Sequence, residues 1–329
     1  MARLIFVPQF PSKMRYQEWW FTEFSKQFRD HDFDVLTLGE KYVGVIKHRR
    51  STLDMFSPIN QAIEFETEQI KEYMMLDIQD DDILFVADIS FPGFFCNVLY
   101  HKECPKMYAF CHATSINRLD YFQSVSYSKF PVESSHSYLF DTVFVGSKYH
   151  QDKLQAIDER YWRNTTVTYL PFSPRRLFPE PPLKKTIDIM SASRPSIQKV
   201  DTELETYIEK ELGVKIQRPI SNSWGEYFRN LQKSKVLLIT AHEDTFGYQI
   251  VDAVTNNCIP LARTSCAYPE LLEREYLYDS RLELVTKLEF LLALEEQPQV
   301  PRLLCEKQMN KFYDVICDEM TGKNIEYPF

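Results

Sequence analysis

The sequence predicts an α/β protein built from two Rossmann-like, doubly wound domains that face each other across a cleft. Three observations predict it. The chain has 329 residues, which at roughly 150 residues per domain suggests about two domains. Short apolar runs alternate with amphipathic stretches, the rhythm of a mostly parallel sheet covered by helices. Between residues 171 and 182 five of twelve residues are proline, a semi-rigid linker composition, and the alternation restarts beyond it.

In the first half, Leu4–Val7 reads as a buried strand and Tyr16–Phe28 as a helix. Phe33–Leu38 is a second strand and Pro58–Met75 a long amphipathic helix, followed by strands at Ile83–Ala87, Met107–Cys111 and Thr142–Val145. The aromatics Trp19, Trp20, Phe21 and Phe24 fit one broad helix face and belong to the core. Beyond the prolines, Ile187–Met190 is a strand and Thr202–Leu212 a helix closed by Gly213. Val214–Gln217 is the next strand, and Ser223 with Glu226 forms a capping box that opens a helix. Val236–Ile239 is a strand, Phe246–Asn256 a helix, Ile259–Ala262 a strand and Arg302–Met320 a terminal helix. The expected domains are 1–172 and 184–302, with 303–329 as a terminal segment.

Composition narrows the chemistry. Average glycine usage of about 7% would give roughly 23 in this length; the chain has 8, and no two lie within four residues of each other. A G-x-G-x-x-G fingerprint and a Walker-type phosphate loop are therefore both excluded. The net charge of −9 argues against a non-specific coat on nucleic acid. The charge is uneven: residues 51–100 sum to −9, residues 1–50 to +3 and residues 151–200 to +4. A local anion-binding cleft stays open. The 7 cysteines have no disulfide-framework spacing. No apolar run reaches the roughly 18 residues of a membrane span, so a soluble protein in a reducing compartment is expected, without integral membrane association.

The most informative segment runs from Leu238 to Val254. A strand ends, an acidic turn follows, and a helix begins near Phe246. The first-turn N–H groups of such a helix are unpaired and carry the positive end of its dipole, a natural seat for phosphate. Gly247 leaves the backbone open to a ligand, Asp244 or Thr245 is available as cap, and Asp252 follows eight residues after Asp244. Phe246, Tyr248 and Gln249 surround that helix start.

These residues resemble a known family. Asp244-Thr-Phe-Gly-x4-Asp252-Ala, with Cys258-Ile-Pro-Leu-Ala and Tyr268-Pro-Glu270-Leu after it, looks like the E-x7-E region of retaining GT-B glycosyltransferases of the group 1 type. Upstream, the strand Ile187–Met190 leads through Ser191, Ala192 and Ser193 to Arg194, with Lys199 five residues later. This is similar to the family's Arg/Lys pair, which contacts the donor diphosphate. Tyr108-Ala-Phe-Cys-His112 resembles a strand ending in a histidine near the donor sugar, and Phe140–Ser147 resembles a further family strand. Both family glutamates are aspartates here, and Glu243 could stand in for Asp244 with a shift of one residue. The family's glycine-rich first loop reads Pro8-Gln-Phe-Pro-Ser-Lys13-Met-Arg15 instead.

The resemblance implies transfer of a sugar from a nucleotide-diphosphate sugar with retention of configuration, without a cofactor or catalytic metal. Arg194, Lys199, Asp244 and His112 would serve the reaction. Asp252, Glu243, Phe246, Gly247, Tyr248, Gln249 and Ser193 would hold the donor, with Asp252 on ribose. Fixed cations stabilise the charge that develops on a leaving diphosphate. The acceptor stays open between a small molecule or glycan and a modified DNA base, and the Pro8–Arg15 loop is where its choice is expected to be decided. In this family the terminal helix often crosses back onto the first domain. A non-catalytic nucleotide-sugar binder is the rival reading, motivated by the two aspartates. Three other signals are set aside: Asp30-His-Asp32-Phe-Asp34 as a metal motif, the cysteines and histidines between Cys96 and His112 as a zinc site, and Cys111 with His136 as a nucleophile pair.

Overall fold

The computed structural model describes residues 2–43, 57–120, 122–174, 183–193, 199–294 and 299–323. Among these, the strands form two parallel sheets. The first contains β1 (Arg3–Val7), β2 (Asp34–Thr37), β3 (Ile83–Val86), β4 (Lys106–Cys111), β5 (Thr142–Val145) and β6 (Thr165–Val167) in the order β2-β1-β3-β4-β5-β6. The second contains β7 (Ile187–Met190), β8 (Ile216–Gln217), β9 (Ser234–Ile239), β10 (Ile259–Arg263) and β11 (Leu277–Tyr278) in the order β11-β10-β9-β7-β8. In each sheet the first strand has the second on one side and the third on the other. The winding therefore reverses between β1 and β3, and again between β7 and β9. In open α/β sheets ligands bind at such reversals, outside the carboxyl ends of the strands.

The strands are legible because helices cover both sheet faces. All four residues of β3 (Ile83, Leu84, Phe85, Val86) are buried, as a strand without an alternating pattern requires. The aromatic helix Tyr16–Asp30 buries Trp19, Trp20, Phe24 and Phe28. Phe24 stacks on Phe6 at 5.8 Å and meets Phe85 at 5.8 Å. In the second half, Asp201 caps the Thr202–Leu212 helix and Gly213 closes it in the left-handed region. Ser223 accepts from the Glu226 N–H, as the capping pattern predicts.

Two helices differ from expectation. The helix expected from Phe246 begins at Tyr248, because Gly247 takes φ +103° and ends the loop there. The terminal helix is two helices, Glu306–Asn310 and Phe312–Thr321, broken at Lys311. Beyond the break Phe312 packs against Trp20, Phe24 and Phe110. Glu319 then accepts from the Thr142 hydroxyl at 2.9 Å, so this helix lies against the first sheet. The end of the 303–329 segment, residues 324–329, lies outside the described residues.

Candidate functional site

The carboxyl ends of the two sheets meet. Ser147, at the end of β5, donates to the Thr245 carbonyl at 2.5 Å. The Glu270 carboxylate accepts from the Lys148 and Tyr149 N–H groups at 2.8 and 2.7 Å. These open the Lys148–Trp162 helix, so a side chain of the second half sits on the positive end of a helix of the first. The Trp20 indole donates to the Tyr248 hydroxyl at 3.1 Å. The residues around Gly247 are thus seated against the first sheet.

Lys199 and Asp244 are brought together: Nζ lies 3.1 Å from Asp244 Oδ2 and donates to the Glu243 carbonyl at 3.2 Å. The Ser193 hydroxyl donates to Gln249 Oε1 at 3.2 Å, joining the end of β7 to the first turn of the Tyr248–Thr255 helix. Asp252, further along that helix, is buried and accepts from the Tyr227 hydroxyl at 3.2 Å. Burial pushes its carboxyl up to about 7, against the opposing hydrogen bond from Tyr227. Ser193, Lys199, Asp244 and Gln249 therefore converge at the reversal between β7 and β9. Arg194 lies outside the described residues.

Four expected residues are engaged differently. Of the two neighbouring acids, Glu243 turns away from Lys199: it pairs with Lys153, accepts from the Arg118 N–H and takes the Tyr149 hydroxyl at 3.2 Å. It tethers the halves, and Asp244 is the acid at the Lys199 ammonium. Gly247 does not leave its α-carbon open, since an added Cβ would stand 2.9 Å from the Tyr268 ring. Its positive φ and this close approach are what require glycine. Phe246 is 3% exposed and joins the core, and Tyr248 is held between Trp20 and the Pro171 carbonyl.

His112, just past β4, lies 4.6 Å from the rings of Tyr16, Trp20 and Phe110. Burial pushes its pKa down to about 3, helped by the nearby His150, so it is neutral at pH 7. Its Nε2 is buried without a partner. A neutral imidazole can exchange a hydrogen bond with a hydroxyl but brings no positive charge. Sequence reasoning placed Tyr268 in the family resemblance without giving it a role, though its buried hydroxyl also lacks a partner, and it missed the tethers Lys153 and Tyr149. A tyrosine before a proline at the start of a short helix gave no chemical signal, and the tethers are visible only in three dimensions. Among the described residues no group of three or more His, Cys, Asp or Glu could hold a metal ion. Nor is any described helix long and apolar enough to cross a membrane.

No family model matches the chain. A curated tRNA-queuosine alpha-mannosyltransferase of Drosophila melanogaster is 30% identical over 93 residues, which is 28% of this chain and 24% of that protein. Thus the match spans about a quarter of that relative's length. Among solved structures, the UDP-forming α,α-trehalose-phosphate synthase of Burkholderia vietnamiensis superposes with a TM-score of 0.65 at 11% identity, covering 98% of this chain and 99% of that one. The sucrose-phosphate synthase of Thermosynechococcus elongatus superposes at 0.62 with 11% identity, covering 98% of each. The chain has the GT-B fold of these glycosyltransferases.

Proposed function

We propose that the chain is a glycosyltransferase that moves a sugar from a nucleotide-diphosphate sugar to an acceptor hydroxyl, with retention and without a catalytic metal. The observation that carries this reading is the Lys199–Asp244 pair just ahead of a helix whose cap, Gly247, offers no side chain. When the glycosidic bond breaks, its electrons stay on the diphosphate. An ammonium held at that point, with first-turn N–H groups behind it, stabilises the growing charge. Asp252 is the carboxylate for ribose hydroxyls. Neutral His112 addresses a sugar hydroxyl rather than acting as a base. The trehalose-phosphate synthase of the same fold is described as UDP-forming, which supports the donor class.

For the acceptor, the 93-residue similarity to a tRNA-queuosine mannosyltransferase favours a modified base carried on nucleic acid over a free glycan. The test is a screen of nucleotide sugars for release of nucleoside diphosphate, with RNA, DNA and small-molecule pools as acceptors and mass spectrometry of the products. Transfer to any pool supports the reading. Binding of a nucleoside diphosphate without release from any donor would leave the rival, a non-catalytic nucleotide-sugar binder.

A further inference from the structure

The reversal point of the first sheet carries its own small cavity, of about 20 Å³. That is room for about one water-sized group, so it suits a single small head group of a substrate rather than the whole. It opens where β1 and β3 end, between Gln9 and Asp88, and Glu66 comes in from the Ser57–Met74 helix. Phe10, Phe65, Phe91 and Phe95 form the apolar walls.

Two buried oxygens of this lining, Glu66 Oε2 and Gln9 Oε1, lack a donor. Asp88 is buried and takes the Gln9 amide at 2.6 Å and the Ser90 N–H at 3.0 Å. Glu66, 6% exposed, takes the Phe95 N–H on Oε1 at 2.5 Å, while its Oε2 is buried with no partner. The carbonyl oxygen of Gln9, whose amide is spent on Asp88, is likewise buried and unpartnered. Lys129 is the nearby cation, and it is already used: Nζ donates to the Ser90 carbonyl at 2.8 Å and pairs with Glu133 at 3.1 Å. Three buried carboxylates, at 66, 88 and 133, thus share one ammonium. A buried acceptor left without a donor costs about 1–3 kcal/mol, more when charged. The same oxygens become favourable once a ligand supplies the donors.

We propose that this cavity is the subsite for a primary ammonium group on the acceptor. An ammonium presents three N–H donors and no acceptor, enough for the two unpartnered oxygens, Glu66 Oε2 and Gln9 Oε1, and its charge suits the buried carboxyls at 66 and 88 and the aromatic walls. A neutral hydroxyl supplies one donor and leaves one of the two oxygens unsatisfied. A phosphate or carboxylate is repelled. The word acceptor rests on the glycosyltransferase reading, whereas the ammonium site rests on the cavity alone.

Ethylammonium and ethanol, close in size and differing in charge and donors, are the probes, read by saturation-transfer NMR on the whole chain at constant ionic strength. Ethylammonium is expected to bind and ethanol not. Glu66→Gln, which keeps the oxygen that caps Phe95, should weaken ethylammonium binding by at least tenfold. Gln9→Met removes Gln9 Oε1 together with the amide on Asp88 and should weaken it severalfold, with the melting temperature of the variant as the check on its fold. Equal binding of the two probes, or undiminished ethylammonium binding in both variants, would overturn the proposal. The two readings fail separately. Ethylammonium binding without sugar transfer to any pool removes the transferase reading and keeps the site. Transfer without ethylammonium binding removes the site and keeps the transferase.

Discussion

The two sheets reverse at matching places and furnish those places with different side chains. Where β7 and β9 diverge, a lysine stands beside a helix capped by glycine. Where β1 and β3 diverge, Gln9, Glu66 and Asp88 offer buried oxygens and the neighbouring lysine is spent on Glu133. On the two readings proposed above, one topology presents a lysine to the donor diphosphate and buried carboxyl oxygens to the acceptor. Their helix starts differ in the same sense. The Lys148–Trp162 helix is sealed by Ser147 and by Glu270, while the Tyr248–Thr255 helix has no side-chain cap. Position in the fold provides the opportunity, and a few side chains decide the sign of the ligand.

The strongest challenge to this contrast is Lys199→Ala. Removing a charge-stabilising group from a transfer site costs on the order of 10²–10³ in kcat, and a fall of that size is expected in nucleoside-diphosphate release, with the melting temperature little changed. Unaltered turnover would show that the second reversal point is not the leaving-group site.

The electronegative side can be read through pH. Burial raises Glu66 from 4.5 and Asp88 from 3.8 to about 7 each, against the opposing pull of Lys129. The folded chain then holds these protons more tightly than the unfolded one. The resulting stability is present below about pH 4 and is lost as pH rises through 7. Glu66→Gln cannot ionise, so it should gain on the wild type between pH 5 and 8, by at most about 3 kcal/mol. Denaturant midpoints at the two pH values measure this, and parallel shifts would mean that burial does not raise the Glu66 pKa.

Legibility followed sequence distance. The acidic turn, Gly247 and Asp252 lie within one strand–loop–helix unit, so their spacing could be read directly, and Lys199 fell into place through the family resemblance. The long buried strands were plain for the same local reason. The first-sheet cavity joins Gln9 to Asp88 across 79 positions, and Glu243 reaches Lys153 across 90. Only the parallel crossovers bring such pairs together. Short elements were also hidden: β6 and β11 have three and two residues, too few to show a period. The Pro8–Arg15 loop, marked by its missing glycines, does supply Gln9 to the cavity, yet nothing local indicated that Glu66 would join it.

Smaller changes test the helix starts themselves. Gly247→Ala must place a side chain at φ +103° and against Tyr268. A non-glycine residue in such a conformation costs about 1–3 kcal/mol, and a melting temperature lower by about 1.5–4 °C is expected. A neutral outcome would mean that Tyr268 moves aside freely and that the glycine was needed for an approaching ligand after all.

Glu270→Gln should have the mildest effect, and for an instructive reason. Its carboxylate seals the Lys148–Trp162 helix from the opposite half of the molecule, and Gln still offers one oxygen to those N–H groups. What is lost is the negative charge at the positive end of a helix, worth about 0.3–1 kcal/mol. Burial raises the Glu270 pKa, with the Tyr149 and Lys148 N–H groups opposing, which trims the gain from ionisation further. A stability loss under about 1 kcal/mol by denaturant unfolding, with donor affinity unchanged, is the expected outcome. If donor affinity falls as well, the two helix starts are coupled through the contact between the halves, and the contrast drawn between a sealed and an open terminus becomes a single linked device.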